Sequence, residues 1–463
     1  MMRFRPFRRG GAALSFVQSF APAALAAMLA WAGNASAQAA AAPSGSPGLL
    51  TLERAVEMAL ESNRAYRMAR LDERAAANRA TWGRAGLLPK VDATAAWSRS
   101  INDTRQERVQ GTATTVETRD AAESDAASAG IGATWTVFEG FSSLAAHARL
   151  EAQARLASLQ GEEARQGAVA GVILAYGEAV RQKRILAALD STMAFSRERA
   201  RLTEGKYNLG SASKLELLQA RLDLNADSSA RLRQELALEA AKRDLNLLLA
   251  LPEGTAFDVA DSVPLSALPP RKALADRALE QNPAFLQAEV SRRIASLGVR
   301  EYVGGLFPKI GLSAGYNYNE NSSEAGFLRS NEQLGWTYGA NLRFNLFDGG
   351  NVAADLRNAR LAVRRADLQA ADARSRVEAS LAEAWNAHEA SLRVLSLEAS
   401  NLELARENVA IALERLRLGT IVSLELREAQ EKYLEAQTRL VSARFETKRA
   451  ETELLRLAGL LGR

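Results

Sequence analysis

Apolar and polar positions along this chain repeat with two different periods, and each period occurs in both halves. Val91, Ala93, Ala95 and Trp97 alternate with Asp92, Thr94, Ala96 and Ser98; Ile131, Ala133, Trp135 and Val137 alternate with Gly132, Thr134 and Thr136. In the second half Ile310, Leu312, Ala314, Tyr316 and Tyr318 alternate with small or polar residues. Trp336, Tyr338, Ala340, Leu342, Phe344 and Leu346 then do the same. A period of two predicts strands of roughly ten residues, two per half, each with an apolar, aromatic-bearing face and a small-polar face.

Elsewhere the pattern is helical. Between Gly350 and Gly419 the chain has neither proline nor glycine, which permits one helix of about 100 Å. Within it Leu381, Trp385, His388, Leu392, Leu395, Ala399 and Leu402 fall at steps of four and three, the spacing of a coiled-coil seam. The matching span from Phe141 to Asn208 also lacks proline, although Gly161, Gly167, Gly171 and Gly177 are expected to weaken it locally. A shorter helix follows each long one, from about Ser213 to Leu249 and from about Ser423 to Leu457. Each pair predicts an antiparallel hairpin, with Gly210 and Gly419 as glycine C-caps.

The two halves are copies. Ala59-Leu60-Glu61-Ser62-Asn63 returns as Ala278-Leu279-Glu280-Gln281-Asn282, and Leu87-Leu88-Pro89-Lys90 returns as Leu306-Phe307-Pro308-Lys309, both 219 positions later. Val137-Phe138-Glu139-Gly140 and Leu346-Phe347-Asp348-Gly349 are 209 apart, as are Leu209-Gly210 and Leu418-Gly419. The register slips by ten residues inside polar stretches, 99–127 and 319–332, which read as exposed loops. We therefore expect a first repeat over 38–250 with its strand pair at about 90–138. A linker over 251–270 and a second repeat over 271–463, with strands at about 309–347, complete the map.

Residues 1–37 read as a cleaved export leader: Arg3, Arg5, Arg8 and Arg9, an apolar run from Phe20 to Ala32, then Ala35-Ser36-Ala37. Those arginines account for four of the five net positive charges, so nothing suggests a nucleic-acid partner. The chain has no cysteine, which excludes disulfides and predicts no lipid at the leader junction. Beyond the leader no apolar run reaches the roughly 20 residues of a membrane-spanning helix. The strands offer another route into a membrane, as a barrel with lipid outside and water inside; a sheet packed on a soluble core is the alternative. Four strands cannot close a barrel, and open edges in lipid leave backbone groups unsatisfied. Closure then needs other copies, two for eight strands or three for twelve. With only His147 and His388 and no nucleotide-binding glycine loop, an enzyme is the weakest reading, and neither a cofactor nor a metal is expected.

Taken together, the tandem repeat, the junctions Phe138-Glu139-Gly140 and Leu346-Phe347-Asp348-Gly349-Gly350, and the turns Tyr207-Asn208-Leu209-Gly210 and Arg417-Leu418-Gly419 resemble the TolC-like outer-membrane efflux proteins. The resemblance covers essentially the whole chain after the leader. It implies a mainly α homotrimer, with a 12-stranded transmembrane β-barrel (four strands per chain) continuous with an α-helical coiled-coil tunnel across the periplasm of a Gram-negative bacterium. Its implied role is the passive exit duct of a tripartite efflux or type I secretion system. Docking of a periplasmic adaptor (membrane fusion protein) and an inner-membrane pump of RND or ABC type would gate its helical end. The partners would be two further copies, the adaptor, the pump and outer-membrane lipid.

The resemblance also implies site residues. Acidic rings at the constricted end correspond to Glu425 and Glu428, with Glu216 and Gln219 in the first copy. Where the best-known member carries a latching Tyr and Arg around the second turn, this chain has Leu416 and Ile421, and Tyr207 holds the equivalent place only in the first copy. Leu209, Gly210, Leu418, Gly419 and Leu424 fall at the tips that would meet an adaptor. Trp97, Trp135, Tyr316, Tyr318, Trp336 and Tyr338 would form aromatic girdles. A periplasmic coiled-coil adaptor without a pore is the reading from another class; four lipid-facing strands argue against it.

Overall fold

The computed structural model describes residues 48–252, 254–325 and 329–462, so the leader assigned to 1–37 lies outside the described residues. The elements run β1 (Leu49–Leu50), α1 (Leu52–Ser62), α2 (Arg64–Arg79), β2 (Lys90–Gln110), β3 (Ala113–Glu139), α3 (Ser142–Asn208) and α4 (Lys214–Leu248). The second half follows with β4 (Asp258–Val259), α5 (Arg271–Gln281), α6 (Pro283–Gly304), β5 (Lys309–Ser323), β6 (Ser330–Arg343), α7 (Asn351–Arg417) and α8 (Ser423–Leu457). The same order occurs twice, and β1 and β4, each opening its half, pair with each other in parallel over two residues.

Both long helices have 67 residues and both return helices 35. α3 runs unbroken through its glycines. Gly161 faces the Glu73 carboxylate, and at Gly177 the Phe445 ring lies close enough that a Cβ would be in tight contact with it. The head of each repeat is two helices, separated at Asn63 and Asn282. Each asparagine caps the second helix with its Oδ1, accepting from Tyr66 N and Phe285 N at 3.1 Å. Its Nδ2 donates to the end of that repeat's return helix, Leu248 O or Leu457 O, at 2.9 Å. The repeated asparagine therefore braces the start of each repeat to its end.

The strands form one antiparallel sheet in the order β2-β3-β5-β6. They are longer than predicted. The stretch 99–127, read as a loop, is a continuation of the β2–β3 ladder to a turn at Gly111. Threonines and valines such as Thr104, Val109, Thr114 and Val116 suit an extended ribbon even where no apolar face marks it. A bulge between Asn102 and Thr104 re-aims this ribbon, and Ala121 N donates to Asp103 Oδ1 there at 2.7 Å. In the second half the connection shrinks to 324–329, and β6 ends at Arg343, leaving Phe344 and Leu346 outside the strand.

The helices form a wall. In the upper part α2, α3, α6 and α7 pack side by side; below, the order is α4, α3, α8, α7. One core lies at the waist, where Tyr176, Leu245, Leu249 and Val259 are buried and Tyr176 Oη donates to Leu50 O at 2.8 Å. A second joins Leu274 and Ala278 to Val377, Leu381 and Leu454. His388 is buried beside it, and that burial holds its imidazole below the ordinary pKa. No described helix is long and apolar enough to cross a membrane. Sheet and wall alike end in uncovered edges: β2 and β6 above, α4 and α7 below.

Candidate functional site

Cross-strand partners in an antiparallel sheet share a face, so the register tests whether the four alternating patterns agree. They do. Val91, Ala133, Ala314 and Tyr338 form one row; Ala93, Ile131, Tyr316 and Trp336 the next; Ala95, Ala129, Tyr318 and Leu334 the third. The following row, Trp97, Ala127, Glu320 and Glu332, brings in charge, and beyond it Arg99 pairs with Asp125 through two bonds of 2.7 and 2.8 Å. Toward the helices the apolar face continues through Trp135, Leu312 and Ala340, then Phe138, Ile310 and Leu342. All six predicted aromatic residues therefore lie on one face, with Tyr316 and Trp336 in ring contact at 5.0 Å. The opposite face holds Thr94, Ser98, Gly130, Thr134, Asn317, Thr337 and Asn341, with Asn317 Nδ2 donating to Thr337 Oγ1 at 3.1 Å.

The hairpin tips are built alike. Gly210 and Gly419 both have φ of +74°, the left-handed region where a Cβ is strained. Ser211 N reaches back to Lys206 O and Gly210 N to Tyr207 O, at 2.8 and 2.9 Å; Thr420 and Gly419 make the same two bonds to Arg415 and Leu416. This double closure satisfies the last helix carbonyls and leaves Leu209 and Leu418 85 % and 70 % exposed. Leu424, on the return side, is also exposed.

The acidic candidates have local partners. Glu216 accepts from Ser213 N at 2.8 Å while Ser213 Oγ accepts from Glu216 N at 3.2 Å, a reciprocal capping box. Glu425 makes only the backward half, accepting from Val422 N at 3.5 Å, because valine has no side-chain acceptor. Glu428, exposed, accepts from Lys432 Nζ at 2.8 Å, which holds its carboxyl below the usual range. Gln219 is exposed. Leu416 is buried inside its own hairpin with Val409, Ala412, Leu426 and Ala429, and Ile421 packs against that cluster. Tyr207 stays exposed.

Two features were missed from sequence. Arg427 of α8 donates to both carboxylate oxygens of Asp227 in α4, at 2.8 and 3.0 Å, and Asp227 also accepts from Ser196 Oγ of α3 at 2.5 Å. This network is largely buried and joins the chain's two hairpins. In addition Leu397, Leu404 and Ile411 of α7, and Leu418 at its C-cap, stand exposed at seven-residue intervals, a second stripe beside the predicted one. Its heptad spacing was readable; the ion pair was not, because its partners are 200 residues apart.

The family model for outer membrane efflux proteins matches this chain twice, over residues 55–251 and 274–460. The chain belongs to that family. Its relatives include the outer membrane efflux protein BepC of Brucella suis, 22 % identical over 342 residues and 71 % of each chain. The alkaline protease secretion protein AprF of Pseudomonas aeruginosa is 22 % identical over 87 % of this chain and 83 % of its own. Among solved structures, the CmeC outer membrane channel of Campylobacter jejuni superposes with a TM-score of 0.74 at 16 % identity, covering 88 % of this chain and 85 % of that one. The efflux-protein fold accounts for the sheet and the helical wall as parts of one channel.

Proposed function

We propose that this chain is one third of a passive outer-membrane exit duct serving a tripartite efflux or type I secretion system. The observation that carries the reading is the four-strand sheet with a continuous apolar face and two unpaired edges. In lipid those edges must be satisfied by strands from elsewhere. Edge β2 is antiparallel to edge β6 across the sheet's sense, so identical copies join head to tail into a ring. Three copies give twelve strands, a lipid-facing outer surface and a lumen lined by glycine, serine, threonine and asparagine. The helical wall has matching open edges, and the exposed leucines of α4 and α7 supply the apolar contact between copies below. Relatives named as an efflux protein and as an alkaline protease secretion protein support both cargo classes. The aromatic residues on the outward face then sit in lipid and at its interfaces.

In this arrangement the hairpin tips form the periplasmic mouth. Glu425 and Glu428 recur three times around its axis and attract cations, while Leu209, Leu418 and Leu424 offer apolar contacts to an adaptor that couples the duct to its inner-membrane pump. Replacing Glu425 and Glu428 together by glutamine is expected to reduce cation preference several-fold, read as the reversal potential of the channel in a planar bilayer under a salt gradient. An unchanged reversal potential would confine both residues to helix capping and surface pairing.

A further inference from the structure

We propose that the inner face of the sheet carries a cationic collar at its helix-side end, built from Lys90, Lys309 and Arg343, which draws anionic solutes from the tunnel into an uncharged barrel. The inference rests on the closed three-copy duct and concerns which solutes that duct passes most readily.

The register separates the two faces row by row. On the inner face four successive rows carry no charge: Thr94, Gly130, Asn317 and Gly335; Ala96, Ser128, Asn319 and Gln333; Ser98, Ala126, Asn321 and Asn331; then Ser100, Ser124 and Ser323. At the same levels the outward face holds Glu320, Glu332, Arg99 and Asp125. These strands therefore accommodate charge, and only the inner face lacks it.

Within the four-strand part of the sheet the inner-face charges all fall at the helix-side end: Lys90, Asp92, Glu139, Lys309 and Arg343. Lys90 and Lys309 are equivalent positions of the two repeats, so three copies place a lysine at six points around one level. Lys309 stands directly opposite Arg343 on the neighbouring strand, a like-charge pairing that costs stability and serves no folding purpose. Glu139 reaches Lys309 at 3.5 Å, whereas Lys90, Arg343 and Asp92 have no ion-pair partner among the described residues. Each chain thus sets three cations against two carboxylates.

Cations at the end of a barrel also occur where long side chains reach for lipid headgroups. Such residues belong on the outward face, and there this end of the sheet presents Phe138, Ile310 and Leu342. The collar faces water inside. Twelve strands about 4.8 Å apart and tilted by about 40° set the backbone roughly 12 Å from the axis. With a Debye length of about 8 Å at physiological salt, charges carried inward on long side chains act across most of that bore. The uncharged rows beyond hold no counter-charge to retain an anion, so entry is favourable and departure is easy, the two conditions for conduction.

The test is the chloride-to-potassium permeability ratio of the full-length mature protein in planar bilayers. Lys90→Gln with Arg343→Gln reverses the local balance and should lower the ratio by about two-fold or more in about 0.1 M KCl. This shift is opposite in sign to that expected for glutamine at Glu425 and Glu428. Asp92→Asn should raise the ratio, and Arg99→Gln, a cation of the same sheet on its outward face, should leave it unchanged. In about 1 M KCl, where the Debye length shrinks to about 3 Å, the differences should vanish. A double variant with the wild-type ratio in dilute salt, a shift that persists at high salt, an Asp92→Asn ratio at or below wild type, or an equal shift from Arg99→Gln would overturn the collar. Wild-type protein that forms no channel would instead contradict the duct itself.

Discussion

Arg427 and Asp227 show how much a single pair of residues carries in this wall. Their side chains are 18 % and 9 % exposed, so each holds the other's charge away from water. Removing one partner of such a pair leaves an uncompensated charge and costs about 3 kcal/mol. Arg427→Leu is accordingly expected to lower stability by that order in unfolding followed by far-UV circular dichroism, and adding Asp227→Ala should recover most of the loss. An Arg427→Leu protein as stable as wild type would place the pair in solvent. Sequence alone marked neither residue, because an arginine and an aspartate in separate amphipathic helices look like any solvated charges. Asn63 and Asn282 were visible as repeated letters; their tie to Leu248 and Leu457 follows only from the fold.

At the scale of elements, periodicity located all four strands and both hairpins, and failed at the ends. It read the ribbon beyond Trp97 as a loop because its polar and apolar residues no longer segregate by face once it leaves the apolar band. Within the band the segregation is strict, and it yields a paired prediction on the central strand β3. Ile131 faces outward, 61 % exposed in the single chain, while Thr134 faces the lumen side. An arginine on the lipid face of such a barrel costs roughly 2–4 kcal/mol near the midplane. Ile131→Arg should therefore deplete the assembled protein from outer-membrane fractions, and Thr134→Arg should leave assembly intact. Equal assembly of the two variants would mean that the apolar face does not meet lipid.

For the whole molecule, the proposed duct makes the repeat an assembly rule. One chain supplies four long strands and four long helices whose outermost members have, among the described residues, no partner on their outer side, and similar units placed in a ring would remove every edge at once. The proposed number of copies rests on family resemblance, since strand arithmetic alone admits eight strands or twelve. Native mass spectrometry of the protein extracted from outer membranes in mild detergent tests this most directly. The account predicts a complex of three chains that persists on dilution; a monomer, or a two-chain complex closing on eight strands, would contradict it.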